Sequence, residues 1–212
     1  MSFPRHFMLD IETTGIKARD NDLLQIGILE MSWTWTWEHG GFWVPGREFE
    51  IIQHSDRKPE SEFAKKRMRK LYELCNKAPR IEVPDVRRAM LDYFRVSGSE
   101  PGWKVFFAGK NAANFDVPFL EHHGYLQPSG RELGPDGKDI EVGDYHYRLF
   151  DMTGFLTGAQ QVLQMTDRSA LEKAAFHIYP EIAMPEGRQE HDGVYDCYRQ
   201  LRVINGLLRL MR

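Results

Sequence analysis

Residues 29 to 37 read Leu-Glu-Met-Ser-Trp-Thr-Trp-Thr-Trp, and no other stretch restricts the fold so tightly. Leu29, Met31, Trp33, Trp35 and Trp37 fall on one face, with Glu30, Ser32, Thr34 and Thr36 on the other. A period of two over nine residues is the repeat of a strand and not of a helix. The chain must therefore build a sheet. The tryptophan face is expected to be its buried side, packed under a helix, because a sheet must bury something. The competing reading is a platform on which single-stranded bases stack. The run continues "LLQIG" before it, and "EHGG" followed by "FWVPG" predicts a hairpin after it.

The remaining chain alternates between strand and helix signals. "PRHFMLD" is a short apolar strand, joined to the next by a turn at "KARDND". "ESEFAKKRMRKLYELC" has helical spacing, with Phe63, Leu71, Leu74 and Cys75 near one face. "PDVRRAMLDYFRV" repeats the pattern with Val86, Ala89, Met90 and Tyr93. A short strand, "KVFFAG", follows at 104 to 109. Residues 124 to 146, rich in Gly, Pro and charge, read as a long surface loop or a small hairpin, and "YRLFD" as another strand. "SALEKAAFHIY" opens with a capping-box pattern, Ser169 with Glu172. The chain closes on a long helix, "DGVYDCYRQLRVINGLLRLM". The order predicts one α/β domain over residues 1 to 212, built on a mixed sheet.

Bulk properties narrow the function classes. The chain has 212 residues, 42% hydrophobic and 28% charged, which suits one globular domain with an ample core. No apolar stretch approaches the roughly 20 residues that cross a membrane, so no membrane partner is expected. No signal-peptide pattern opens the sequence. The two cysteines, Cys75 and Cys197, are too far apart in sequence for a zinc motif or a disulfide framework. Reduced thiols and a cytoplasmic location are the expectation. A net charge of -3 makes the whole molecule no sponge for nucleic acid. Local basic patches or bound cations would still allow that partner. The run "KKRMRK" at 65 to 70 reads as a solvated helix face, with backbone-phosphate contact as the alternative.

Four acids stand where acids are costly. Asp10 and Glu12 end the first apolar run two residues apart, so both project to one side of the strand. They repel each other unless a cation lies between them, or unless both are solvated in the "ETTG" turn. Asp116, in "NAANFDVPFL", is placed either to cap a helix or to reach a metal. Asp196 lies at the edge of the apolar arc of the last helix, with Val194, Cys197, Leu201, Ile204 and Leu208, while Arg199, Arg202 and Arg209 take the solvated side. A buried carboxylate there needs a partner from another segment. His191 belongs in the loop before this helix, with Asp192 as the cap. Hard oxygen ligands without cysteine suit magnesium or manganese. A pair of such ions stabilises an in-line phosphoryl displacement, and a histidine near neutral pH can accept the proton of the attacking water.

"DIETTG", "NAANFDVPFL" and "HDGVYD", in this order and with His-x4-Asp spacing, resemble the three motifs of the DEDDh (DnaQ-like) 3'–5' exonucleases. The resemblance runs from about residue 6 to 208. It implies an RNase H-like fold, a five-stranded mixed sheet flanked by helices with the acids at one rim. It implies two divalent metal ions, Mg2+ or Mn2+, with Asp10, Glu12 and Asp196 on one and Asp10 and Asp116 serving the second. His191 would be the general base. Thr13, Thr14, Gly15 and Ile16 would seat the 3'-terminal nucleotide, with Asn111 and Phe115 shaping the same pocket. The implied activity removes nucleoside 5'-monophosphates from single-stranded DNA or RNA with a free 3' end. A polymerase or a second copy as partner is left open. A chain of this kind that lost its acids would be a non-catalytic end-binding or polymerase-associated module, and the intact set argues against that. A phosphohydrolase of small nucleotides is the remaining alternative. The loop at 124 to 146 and the tryptophan stripe are departures from a minimal member.

Overall fold

The computed structural model describes residues 5–38, 40–58, 61–95, 105–128, 130–133, 139–145 and 149–212. Pro4 of the first predicted strand, His39 of the predicted turn, Glu60, Val96, Lys104, residues 129, 134–138 and 146 of the expected loop, and Tyr147 and Arg148 of the predicted strand lie outside them, as does the side chain of Phe63. The strands are β1 (Arg5–Thr13), β2 (Leu23–Thr36), β3 (Gly40–Ile52), β4 (Val105–Gly109), β5 (Gly130–Leu133), β6 (Asp139–Val142) and β7 (Phe150–Asp151). The helices are α1 (Glu62–Arg67), α2 (Arg69–Cys75), α3 (Val83–Arg95), α4 (Asp116–His122), α5 (Met152–Val162), α6 (Arg168–Ile178) and α7 (Gly193–Leu210).

The main sheet has five strands in the order β3-β2-β1-β4-β7. β3, β2 and β1 are antiparallel neighbours, while β1–β4 and β4–β7 are parallel. This is the mixed, helix-flanked α/β arrangement that the motifs imply for an RNase H-like fold. β1 is its centre. Phe7, Leu9 and Ile11 enter one core with Val86 and Met90 of α3 and Phe119 and Leu120 of α4. Met8 points the other way, into a second core with Leu156, Leu171, Cys197, Leu201 and Ile204. A strand buried on both faces reads as an unbroken apolar run, which is why "FML" shows no alternation. Period two then sends Asp10 and Glu12 to the Met8 side, the side of α7.

α7 lies very close to the sheet. A Cβ on Gly27 would stand 2.2 Å from the carbonyl carbon of Gly193, and one on Gly206 1.9 Å from the carbonyl oxygen of Ala175. Glycine at 27 lets the N-terminus of α7 meet β2, and glycine at 206 lets α6 and α7 touch. Among the described residues, no helix is long and apolar enough to cross a membrane.

Several local expectations are corrected. The tryptophan stripe is not a buried face. Leu29 and Met31 are buried, but Trp33, Trp35 and Trp37 are 52%, 53% and 93% exposed. The reason is strand length. Among the described residues the β1 pairing ends at His6↔Met31, beyond it β2 pairs only with β3, and the alternation continues past the described helices. The rings cover one another instead, Trp33 edge-on to Trp43 and Trp35 edge-on to Trp37. The single helix expected over "ESEFAKKRMRKLYELC" breaks at Met68, whose side chain drops into a cluster with Leu24, Leu71 and Cys75. Leu74 is exposed, since the buried line follows Leu71 and Cys75, four residues apart. The capping box of Ser169 and Glu172 does not form. Asp167 caps α6 by accepting from Ala170 N, and Glu172 faces Lys110 and Arg199. Arg202 and Arg209, on the side expected to be solvated, are half-buried. They lie over the rings of Phe176 and Tyr179 and donate to the carbonyls of Phe176 and Ile178. The 124 to 146 segment holds the β5–β6 hairpin, and Tyr125, Leu126 and Tyr145 at its ends are buried. In the basic run Lys65, Lys66, Arg67, Arg69 and Lys70 are exposed, as a solvated face should be.

Candidate active site

The C-terminal end of β1 delivers Asp10 and Glu12, and an irregularity in the β1–β2 ladder follows at Glu12/Thr13. β4 runs parallel beside β1, so its end, with Lys110 and Asn111, opens on the same rim. Asn111 adopts φ 66°, and the turn that starts there leads into α4. Asp116 is the first residue of α4 and not its cap, which is Phe115. Its Oδ1 accepts from the backbone N–H of Ile11 at 2.9 Å, fastening α4 between the two acids of β1.

The third segment comes from α7. Asp192 caps the helix by accepting from Val194 N and Tyr195 N, as the sequence predicts. His191 precedes it in the left-handed region, φ 65°. Asp196 Oδ2 reaches back to accept from His191 N at 3.0 Å. His191 Nδ1 lies 3.7 Å from Glu12 Oε1. Ligand atoms of Glu12, His191 and Asp196 all lie within 4.8 Å of one another. A cavity of about 180 Å³ is lined by Asp10, Lys110, Glu172, Glu190, His191, Asp196, Arg199 and Gln200.

The electrostatics of this group are unfavourable by themselves. Burial, then the charges of Asp116, Asp196 and Glu12, hold the Asp10 carboxyl well above its ordinary range. Burial pushes Asp116 up to about 7 and, with Glu12 beside it, Asp196 up to about 6. Glu12 raises His191 by hydrogen bonding and charge. His191 and Arg199 act against the rise at Asp196, but burial and the neighbouring carboxylates outweigh them. The donor set is four carboxylates and one imidazole, with no thiolate, and that chemistry fits a hard divalent cation. The ligand atoms that come together are those of Glu12, His191 and Asp196, while Asp10 and Asp116 bear on one another through charge.

The other predicted residues sit at the same rim but engage local partners. Thr13 Oγ1 donates to Gly15 O, and Thr14 Oγ1 donates to Asn21 Oδ1. A Cβ on Gly15 would fall 2.5 Å from Asn21 Oδ1, so a side chain there would displace that of Asn21. Ile16 is 83% exposed. Phe115 tilts its ring against that of Phe119.

Residues not singled out from the sequence complete the site. Arg188 grips Glu50 through two parallel hydrogen bonds, 2.8 and 3.0 Å, and also donates to Asp192. Gln25 bridges Glu50 and the N–H of Gly193. Together they fasten the His191 loop to β2 and β3. Arg67 pairs with Glu190 from the other side. Lys110 and Arg199 share Glu172 at the cavity mouth. Gln200 is buried between Asp10 and Lys110. Its signal in the sequence is a polar residue one helical turn after Asp196, on the same inward arc.

No family model matches this chain, and no curated protein matches its sequence.

Proposed function

We propose that this chain is a metal-dependent 3'–5' exonuclease acting on single-stranded nucleic acid and releasing nucleoside 5'-monophosphates. The observation that carries the reading is the meeting of three distant segments: Asp10, His191 and Asp196 line one cavity, ligand atoms of Glu12, His191 and Asp196 lie within 4.8 Å of one another, and the charge of Asp116 bears on Asp10. The resemblance of the three motifs supplies the reaction class. When bound, two divalent cations, Mg2+ or Mn2+, would stabilise the attacking and leaving oxygens of an in-line displacement. The chain's own residues do the rest. Glu12 orients the His191 ring through Nδ1, and the imidazole takes the proton of the attacking water. Lys110 and Arg199, which line the cavity and share Glu172, are cations within reach of a phosphate backbone there. The Thr13–Ile16 turn, with Asn111 and Phe115, seats the terminal nucleotide. Both cysteines are free and buried, which fits a reducing compartment such as the cytoplasm.

The test places end-labelled single-stranded DNA and RNA side by side, with Mg2+ and with chelator. Mononucleotides should appear from the 3' end with Mg2+ alone. Asp10→Ala and Asp196→Ala should each lower the rate by about 10³-fold or more, the scale of losing transition-state charge stabilisation. Tight end binding without cleavage in either metal would favour a non-catalytic module. Cleavage that survives both substitutions would overturn the assignment of the site.

A further inference from the structure

The buried amide of Gln200 has a role the acids alone do not explain. It lies on α7 one turn beyond Asp196 and is 6% exposed. Its Oε1 accepts from the backbone N–H of Lys110 at 2.7 Å, and its Nε2 donates to Asp10 Oδ1 at 2.8 Å. These partners fix the orientation of the amide. A backbone N–H can only donate, so the oxygen must face Lys110. The NH2 group is then left for the carboxylate. A single side chain thus ties the end of β4, where the turn to Asp116 begins, to the first acid at the C-terminal end of β1.

Resting on the nuclease reading above, we infer that Gln200 is a positioning residue, which holds one oxygen of Asp10 and turns the other toward the cation. A polar residue was not required for packing. Cys197, Leu201 and Ile204 on the same arc are apolar, and a buried amide costs free energy unless both ends are paired. Both ends here are paired, one of them to a ligand. Partners of this kind orient a ligand, and their loss lowers metal affinity about 10–100-fold.

The experiment titrates Mn2+ by electron paramagnetic resonance, in the absence of substrate, into wild type, Gln200→Met and Gln200→Glu. Methionine keeps the volume and loses both bonds. Glutamate keeps the acceptor for Lys110 N–H, guards against a variant that fails to fold, and sets a second carboxylate against Asp10. Both variants should bind Mn2+ at least about tenfold more weakly. Oligonucleotide KM at saturating Mg2+ should change little, so the defect appears in the metal midpoint and in kcat below saturation. A wild-type midpoint in the folded variants, with lowered melting temperature alone, would reduce Gln200 to a packing residue and overturn the inference. Tighter binding by Gln200→Glu would also overturn it, by making position 200 a ligand site. Wild type that neither binds Mn2+ nor cleaves would overturn the nuclease reading, and this inference with it.

Discussion

His191 carries the most chemistry of any single residue, and its neighbours set its pH behaviour. Glu12 and Asp196 both favour the imidazolium, so the ring titrates above its ordinary value. A general base must be neutral. Turnover should therefore climb with pH as His191 of the metal-loaded site loses its proton, and level off above that point. Measuring kcat from about pH 6 to 9 at saturating Mg2+ checks this. His191→Ala should lose about 10²–10⁴-fold in kcat and flatten the limb, with end binding retained. Loss of binding without a rate defect would count against a base. Gln200 shows what residue-level reading misses. An amide on an apolar arc is visible in the sequence, but the helical spacing does not say that Asp10 and Lys110 wait at its two ends. The same holds for Arg188 and Glu50, which are 138 residues apart.

At the scale of elements, the site depends on how closely α7 lies on β2. Gly27 and Gly193 meet backbone to backbone, and the loop that carries His191 enters this contact. Gly27→Ala should force the helix off the strand. The expected cost is about 1–3 kcal/mol or more in urea denaturation, as for other overpacked contacts. Activity should fall further than stability alone explains, because the shift separates His191 and Asp196 from Asp10. Full activity in the folded variant would show that the helix position is less critical than this geometry implies. The tryptophan hairpin shows the limit of periodicity. Alternation assigns Trp33, Trp35 and Trp37 to one face, but whether a face is covered depends on the length of the neighbouring strand. The β1 ladder ends at Met31, and β2 runs on to Thr36.

For the whole molecule, the acid cluster links pH to stability and, on the proposed function, to metal binding. Asp116 and Asp196 titrate near 7 and 6 when folded, above the ordinary value of 3.8. A carboxyl raised on folding adds stability that is complete below its unfolded pKa and is lost as pH rises through the folded one. The raised His191 has the same sign. The metal-free protein should thus melt at progressively lower temperature between about pH 4 and pH 8. Mg2+ should reverse the trend, with a larger stabilisation at about pH 8 than at about pH 5. Thermal melts with Mg2+ or chelator test it, and a melting temperature indifferent to Mg2+ would argue against the site. The sequence by itself determined the α/β class, the strand that carries Asp10 and Glu12, the Asp192 cap and the loop position of His191. Each follows from local periodicity or capping chemistry, which act within a turn or a strand. The tertiary structure alone decided that the tryptophans stand exposed, that Asp167 and not Ser169 caps α6, and that Gln200 bridges Asp10 to Lys110. Those outcomes depend on strand lengths and on contacts between residues far apart in the chain, which no local pattern encodes.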